Sequence, residues 1–462
     1  MDHQTLDVDL DLISRLDRNG PRYTSYPTAD RFSETFDRRK YATWAVRRNV
    51  TGVNRPLSIY VHLPFCRSLC YYCACNKVIT RDENKAAKYL RYLTREIALQ
   101  APLFRDDVHV TQMHWGGGSP TFYGMIELTE LYATLRSYFD FAPDGEYSIE
   151  VDPRTVEPST IAALRALGFN RVSFGVQDLD PDVQRAINRV QSDTQIAAVI
   201  DAARGARFAS VSVDLIYGLP RQTVTTFEAT LRRVAELRPD RIAVYNYAHL
   251  PGRFKAQKQI ADADIPAPET KLSLLRLAAE RLVAAGYVYI GMDHFALPDD
   301  SLAIAQRQGR LHRNFQGYST HAECDLIGLG VSAIGAIGPT YTQNARTLFD
   351  YYRHLDDNEL PIVRGVELSR DDLVRRSVIQ ALMCHFELSK DAIDVAYLID
   401  FDSYFATEIA ELQELGHAGL VTFDGNWISV TPKGRMLIRS ICMVFDKYLR
   451  HDRDSGRYSR TI

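Results

Sequence analysis

Four of the chain's seven cysteines fall within ten residues, Cys66-Arg-Ser-Leu-Cys70-Tyr-Tyr-Cys73-Ala-Cys75. Cys66, Cys70 and Cys73 form C-x3-C-x2-C, with Tyr72 directly before the third cysteine. Thiolates at such spacing bind metal. Structural zinc usually takes two ligand pairs a dozen or more residues apart, and here no second pair returns, which disfavours zinc. Three thiolates in one short loop can instead wrap one face of an iron–sulfur cubane. Cys75 could close that cluster as a fourth ligand, although it lies only two residues beyond Cys73. Alternatively one iron stays open to chemistry, and the spacing leaves both arrangements standing. Cys324, Cys384 and Cys442 stand apart and read as buried structural thiols.

A second group of chemical interest is Gly116-Gly117-Gly118-Ser119-Pro120. Glycines allow backbone N–H and C=O groups to approach a ligand closely, although alone such a run is more often a plain turn.

These residues need strands and helices to position them. Candidate strands at 57–63, 108–115, 147–152, 171–177, 211–216 and 242–247 alternate with amphipathic stretches at 85–99, 127–139, 159–167 and 194–204. Such alternation predicts parallel strands joined by crossover helices. Four of the strands alternate apolar with polar residues. Ser58, Tyr60 and His62 share one face of the first, and Ser148, Glu150 and Asp152 share one face of the third. Arg171, Ser173, Gly175 and Gln177 do so in the fourth, and Ser212 and Asp214 in the fifth. A doubly wound parallel sheet, covered on both faces, would read as continuous apolar runs. The pattern therefore predicts an α/β fold with a partial (β/α)6 TIM-like barrel whose lumen is polar.

Around this barrel, at 56–365 with its extension, the sequence predicts two further parts. Residues 1–55 form an N-terminal arm, with Pro21-Arg-Tyr-Thr-Ser-Tyr-Pro27 extended. Residues 366–462 form a mainly helical, winged-helix-like domain: a helix at 412–420, a hairpin turning at Asp424-Gly425-Asn426, and a last helix at 433–449. At 462 residues, with 46% hydrophobic and 24% charged residues, the chain has the composition of a soluble globular protein. Its 55 basic and 58 acidic residues give a net charge of -3, which gives no reason to expect a nucleic acid or membrane partner. The polar, acidic start is not a signal peptide, and the most apolar stretch, 326–339, falls short of the roughly 20 residues a spanning helix needs. A cytoplasmic monomer is expected.

The cysteine loop after the first strand and the glycine triplet after the second together resemble the radical S-adenosylmethionine enzymes. The resemblance implies a [4Fe-4S] cluster held by Cys66, Cys70 and Cys73, with its open iron binding S-adenosylmethionine. Further motifs are similar to the branch of that family that acts on coproporphyrinogen III. They are the arm 21–27, Cys75-Asn76-Lys77, Val176-Gln177-Asp178, the run 214–220, the run 291–295, the run 313–318, and the terminal Arg457-Tyr458-Ser459-Arg460. The resemblance implies an oxidoreductase of haem biosynthesis that turns two propionates into vinyl groups, giving protoporphyrinogen IX, by way of a 5′-deoxyadenosyl radical.

Residue by residue, it implies that Tyr60, Gly117, Glu150 and Ile334 contact the cluster-bound S-adenosylmethionine. Tyr72, Gly118, Ser119, Gln177, Arg189, Asp214 and Ala248 would contact a second molecule. Tyr72 and Ser119 replace the Phe and Thr expected of the family. Tyr60, Glu150 and Cys75 are the catalytic candidates, with Cys75 free for proton or electron transfer. Arg22 and Arg313 are candidates for the substrate's carboxylates. A low-potential donor resembling flavodoxin or ferredoxin, and an electron acceptor, are implied partners. A haem carrier and a haem-opening radical methyltransferase on the same scaffold are the competing readings. The arm, Cys75 and the terminal motif argue against both.

Overall fold

The period-two alternation resolves into one large sheet. The structure, a computed structural model, describes residues 6–16, 18–50, 55–104 and 108–451. The terminal motif 457–460 and parts of the N-terminal arm lie outside the described residues. Six parallel strands follow one another: β1 (Leu57–Leu63), β2 (His109–Gly117), β3 (Asp140–Val151), β4 (Arg171–Gln177), β5 (Ser210–Tyr217) and β6 (Arg241–Asn246). Their apolar faces are fully buried against the helices, as with Ile59, Val61, Met113, Trp115, Ile149, Phe174 and Leu215. Each such side chain contributes about 1.5–3 kcal/mol. Tyr60, His114, Glu150, Ser173 and Asp214 face the other side.

The sheet does not close. Beyond β6 lie antiparallel β7 (Val288–Gly291) and β8 (His294–Ala296), with β8 next to β6. Before β1 come β9 (Asp325–Leu329), parallel to it, and antiparallel β10 (Ile334–Ile337), β11 (Thr340–Asn344) and β12 (Ile362–Glu367). The apolar, Gly-rich stretch 326–339 thus becomes sheet. Among the described residues, no helix is long and apolar enough to cross a membrane.

The segment 21–27 is irregular and largely buried. Tyr23 donates its hydroxyl to Asp446 at 3.0 Å, and the Arg439 guanidinium donates to the Gly20 and Pro21 carbonyls. The arm is therefore a strap across the C-terminal region. That region holds the helices Arg370–His385 and Ala406–His417, and the expected hairpin pairs Val421–Asp424 with Trp427–Val430. The single helix expected at 433–449 is instead three short pieces, Arg435–Leu437, Ile438–Met443 and Lys447–His451. The break has a cause at Asp446, whose carboxylate accepts from the N–H groups of Tyr448 and Leu449 and so starts a new helix. Cys384 and Cys442 are fully buried, as expected. Cys324 is only half-buried, against the Thr111 hydroxyl.

One buried acid ties the strands flanking β1 to the helix that follows it. Glu96, in the helix Glu83–Gln100, is 0% exposed and accepts from Tyr351 Oη (2.6 Å), Asn344 Nδ2 (2.6 Å) and Gly330 N (2.7 Å). Gly330 has φ +97°, and a Cβ there would lie 2.4 Å from Tyr89 Oη. Tyr89 in turn donates to the His62 carbonyl and accepts from Val331 N. The β9–β10 loop is thereby fastened to the end of β1.

Burial pushes the Glu96 carboxyl up to about 7, against an ordinary 4.5. Because the folded value lies above the unfolded one, its contribution to stability is full below about pH 4.5. It is lost as pH rises through about 7. Urea unfolding of the wild type is expected to show a loss on the order of 3 kcal/mol across that interval, and Glu96→Gln should flatten the slope. An unchanged slope in the variant would locate the titration elsewhere.

Candidate active site

The glycine triplet at the end of β2 is shaped by what lies against it. A Cβ on Gly116 would sit 2.8 Å from the Glu150 carboxyl carbon. Gly117, at φ +108°, would place one 2.5 Å from the His62 ring, and Gly118 one 2.6 Å from the Pro64 carbonyl carbon. The turn is pinned by Gly118 N donating to Leu63 O (2.8 Å) and Ser119 N donating to Phe65 O (2.9 Å). Those amides fasten it to the root of the cysteine loop.

Glu150, on the polar face of β3, accepts from Gly117 N at 3.2 Å and lies 3.2 Å from His114 Nε2. Burial works against its charge, but the His114 hydrogen bond and the Gly117 N–H hold its pKa below the ordinary carboxylate value. His114 Nδ1 is 2.6 Å from Ser148 Oγ, and the Tyr60 ring stacks on the His114 ring at 5.9 Å. Tyr60 Oη is 3.1 Å from His62 Nδ1, and His62 Nε2 is 2.9 Å from the Asn76 carbonyl. Together Tyr60, Gly117, Glu150, Cys75 and Ile334 line one cavity of about 390 Å³, with His62, His114, Tyr245, Phe315 and Gln316.

The three cysteines of C-x3-C-x2-C are free thiols in the loop after β1. Among the described residues, no group of three His, Cys, Asp or Glu side chains could hold a single metal ion. The donor set and its surroundings do suit an anionic sulfur cluster. Arg189 Nη1 and Arg154 Nη2 lie 3.5 and 3.6 Å from Cys70 Sγ. Both guanidiniums also hold Asp152, at 3.2 and 2.7 Å. Burial pushes the Cys66 thiol up to about 12 despite a hydrogen bond from Ser119. A hydrogen bond from Cys75 and the nearby Lys77 ammonium hold Cys73 below the ordinary thiol value, against the pull of burial.

The remaining expected residues form a neighbouring group. Arg189 donates to the Gly175 carbonyl at 2.6 Å, beside Gln177, whose backbone is held at φ +69°. Such strain in a non-glycine residue recurs at functional sites. Gln257 donates to the carbonyls of both Tyr72 (3.2 Å) and Ala248 (3.1 Å), so these two are brought together. Asp214 lines a deeper lumen cavity of about 140 Å³, where burial and the Glu150 charge push its carboxyl up to about 7. Arg22 is spent on the Asn246 carbonyl (3.3 Å) and, at 3.9 Å, on Asp293.

Sequence reasoning did not single out His62, His114, Arg154, Tyr245 or Gln257 as site residues. His62 stood on the polar face of its strand, and His114 stood between apolar Met113 and Trp115, so alternation carried a signal for both. Arg154 and Gln257 carried none, because the contacts that bring them to the site, to Cys70 and to the Tyr72 carbonyl, come from distant parts of the chain.

Against this geometry the comparisons with known proteins are specific. Residues 60–234 match the Radical SAM superfamily, which defines the class of enzyme, and residues 368–437 match the HemN C-terminal domain. The oxygen-independent coproporphyrinogen III oxidase of Escherichia coli K12 is 50% identical over 462 residues, covering 100% of both chains. The namesakes from Pseudomonas aeruginosa and Synechocystis sp. are 50% and 44% identical, over 99% of each chain. The solved structure of coproporphyrinogen III oxidase (HemN) from Escherichia coli, described as a radical SAM enzyme, superposes with a TM-score of 0.92, covering 96% of this chain and 100% of that one. The chain belongs to the oxygen-independent coproporphyrinogen III oxidase family, and it is an oxidoreductase.

The crowding at Gly117 yields a test of the site's rigidity. Gly117→Ala is expected to cost about 1–3 kcal/mol through backbone strain, with the His62 ring displaced. Thermal unfolding reads the loss, and an unchanged midpoint would show that the turn relaxes freely.

Proposed function

We propose that the chain catalyses the anaerobic oxidative decarboxylation of two propionates of coproporphyrinogen III, giving protoporphyrinogen IX. The observation that carries this reading is the cavity of Tyr60, Gly117, Glu150 and Ile334 opening beside the three-cysteine loop, in a chain matched end to end by its relatives. Each propionate must lose a hydrogen from a saturated β-carbon, then CO2 and one electron. No side-chain base removes such a hydrogen near neutral pH, so the chemistry calls for a radical. When bound, a [4Fe-4S] cluster on Cys66, Cys70 and Cys73 and its S-adenosylmethionine supply that radical by reductive cleavage.

The chain's own residues bind, orient and exclude. Glu150 presents a carboxylate, kept charged by His114, to the ammonium or ribose of the methionine cofactor. Gly117 brings backbone within reach, Tyr60 and Ile334 flank the cofactor, and the surrounding wall keeps water out. Tyr72, Gly118, Ser119, Gln177, Arg189, Asp214 and Ala248 hold a second S-adenosylmethionine. The contacts of Arg189 beside Gln177, and of Gln257 to both Tyr72 and Ala248, support such a second site. Cys75, on the cavity wall, is placed for proton or electron transfer. A low-potential flavodoxin- or ferredoxin-like protein supplies the electron, and a separate acceptor takes it from the substrate.

Anaerobically reconstituted protein, with reductant and S-adenosylmethionine, is expected to release two CO2 per coproporphyrinogen III and to yield protoporphyrinogen IX. Cys66→Ser should abolish both the cluster's absorbance and the reaction. Tight haem binding with no CO2 released would favour a carrier instead and sink the proposal.

A further inference from the structure

A third cavity, of about 400 Å³, lies between the start of β1, the strand His312–Asn314 and the helix Arg370–His385. Its lining is cationic. Arg310, Arg313 and Arg376 face it, and the one lining acid, Asp325, is paired with Arg48 at 2.5 Å, both side chains being nearly buried. Burial, with Arg376 and His385 adding to it, pushes the lining His312 down to about 4, so the ring stays neutral and the positive excess belongs to the arginines.

Arg313 is the unusual member. It is 4% exposed, yet its Nε and Nη1 meet no hydrogen-bond partner, and it forms no ion pair among the described residues. A buried guanidinium with two of its nitrogens unpaired is costly to fold. It is nonetheless held in place. Arg313 N donates to Gln380 Oε1 at 3.1 Å, Gln380 Nε2 donates to Arg313 O at 2.8 Å, and the guanidinium lies 4.7 Å over the Tyr318 ring. Fixed donors with nothing to donate to describe a receptor ordered before its anion arrives.

We infer that this cavity holds propionates of the substrate, with Arg313 as the buried carboxylate receptor and Arg376, from the helix Arg370–His385, completing its wall. The inference rests on the function proposed above. Phe315 and Leu326 line both this cavity and the one containing Tyr60 and Glu150, so the two adjoin. A ring carrying four propionates can then present one to the cavity of Tyr60 while another reaches Arg313. The C-terminal region thereby acquires a part in substrate recognition, and Gln380 becomes the residue that positions the receptor.

The test titrates coproporphyrin III, the stable oxidised form bearing the same four propionates, into the reconstituted full-length enzyme, read by fluorescence quenching. Arg313→Gln and Arg376→Gln are each expected to weaken binding about tenfold or more, and far less for the tetramethyl ester, which has no carboxylates. Arg313→Gln should leave the thermal midpoint unchanged or raise it, whereas an arginine serving structure would lower it. Should wild type and both variants bind coproporphyrin III equally, the inference is overturned while the proposed function stands. If the wild type itself fails to bind, the function proposed above falls first.

Discussion

The Glu150 carboxylate lies directly against the glycine turn of β2, and most of the site depends on that contact. Gly116 leaves it room, Gly117 N donates to it, and His114 keeps it charged. His114 in turn carries the Tyr60 ring, and Tyr60 meets His62, whose ring occupies the space a side chain on Gly117 would need. A polar lumen is thus a set of mutually supporting contacts between the C-terminal ends of neighbouring parallel strands. That is where open α/β folds place their chemistry.

The cysteine loop is held to the same framework from two sides. The Gly118 and Ser119 amides fix its root, while Arg154 and Arg189 meet Cys70 from just beyond β3 and beyond β4. The β9–β10 loop, which leads to Ile334, is anchored through Glu96 and Tyr89 to the end of β1. The strap at 21–27 then joins β6 to the C-terminal region through Arg22 and Tyr23. Elements far apart in the chain therefore converge on one end of the barrel.

Much of this was legible in the sequence where a single strand carried the signal. Tyr60, Glu150 and Asp214 stood on polar faces because strand side chains alternate, and the structure keeps them there. The antiparallel flanks were not legible. β7, β8 and β10 are three or four residues long, too short for a clear period. The broken helix after 433 depends on Asp446, whose capping role is fixed by its place in the fold and by Tyr23, 423 residues away in sequence. Proline made the arm recognisable as extended. Its burial follows from Arg439 and Asp446, which no local pattern reveals.

On the proposed function Cys66, Cys70 and Cys73 would hold the cluster, its fourth iron would be left for S-adenosylmethionine, and Cys75 would not be a ligand. Electron paramagnetic resonance of the reduced, reconstituted Cys75→Ser protein, with and without S-adenosylmethionine, tests it most directly. A full [4Fe-4S] signal that changes on adding S-adenosylmethionine, as in the wild type, is the expected result. Loss of the cluster in Cys75→Ser, or a wild-type signal indifferent to S-adenosylmethionine, would contradict it.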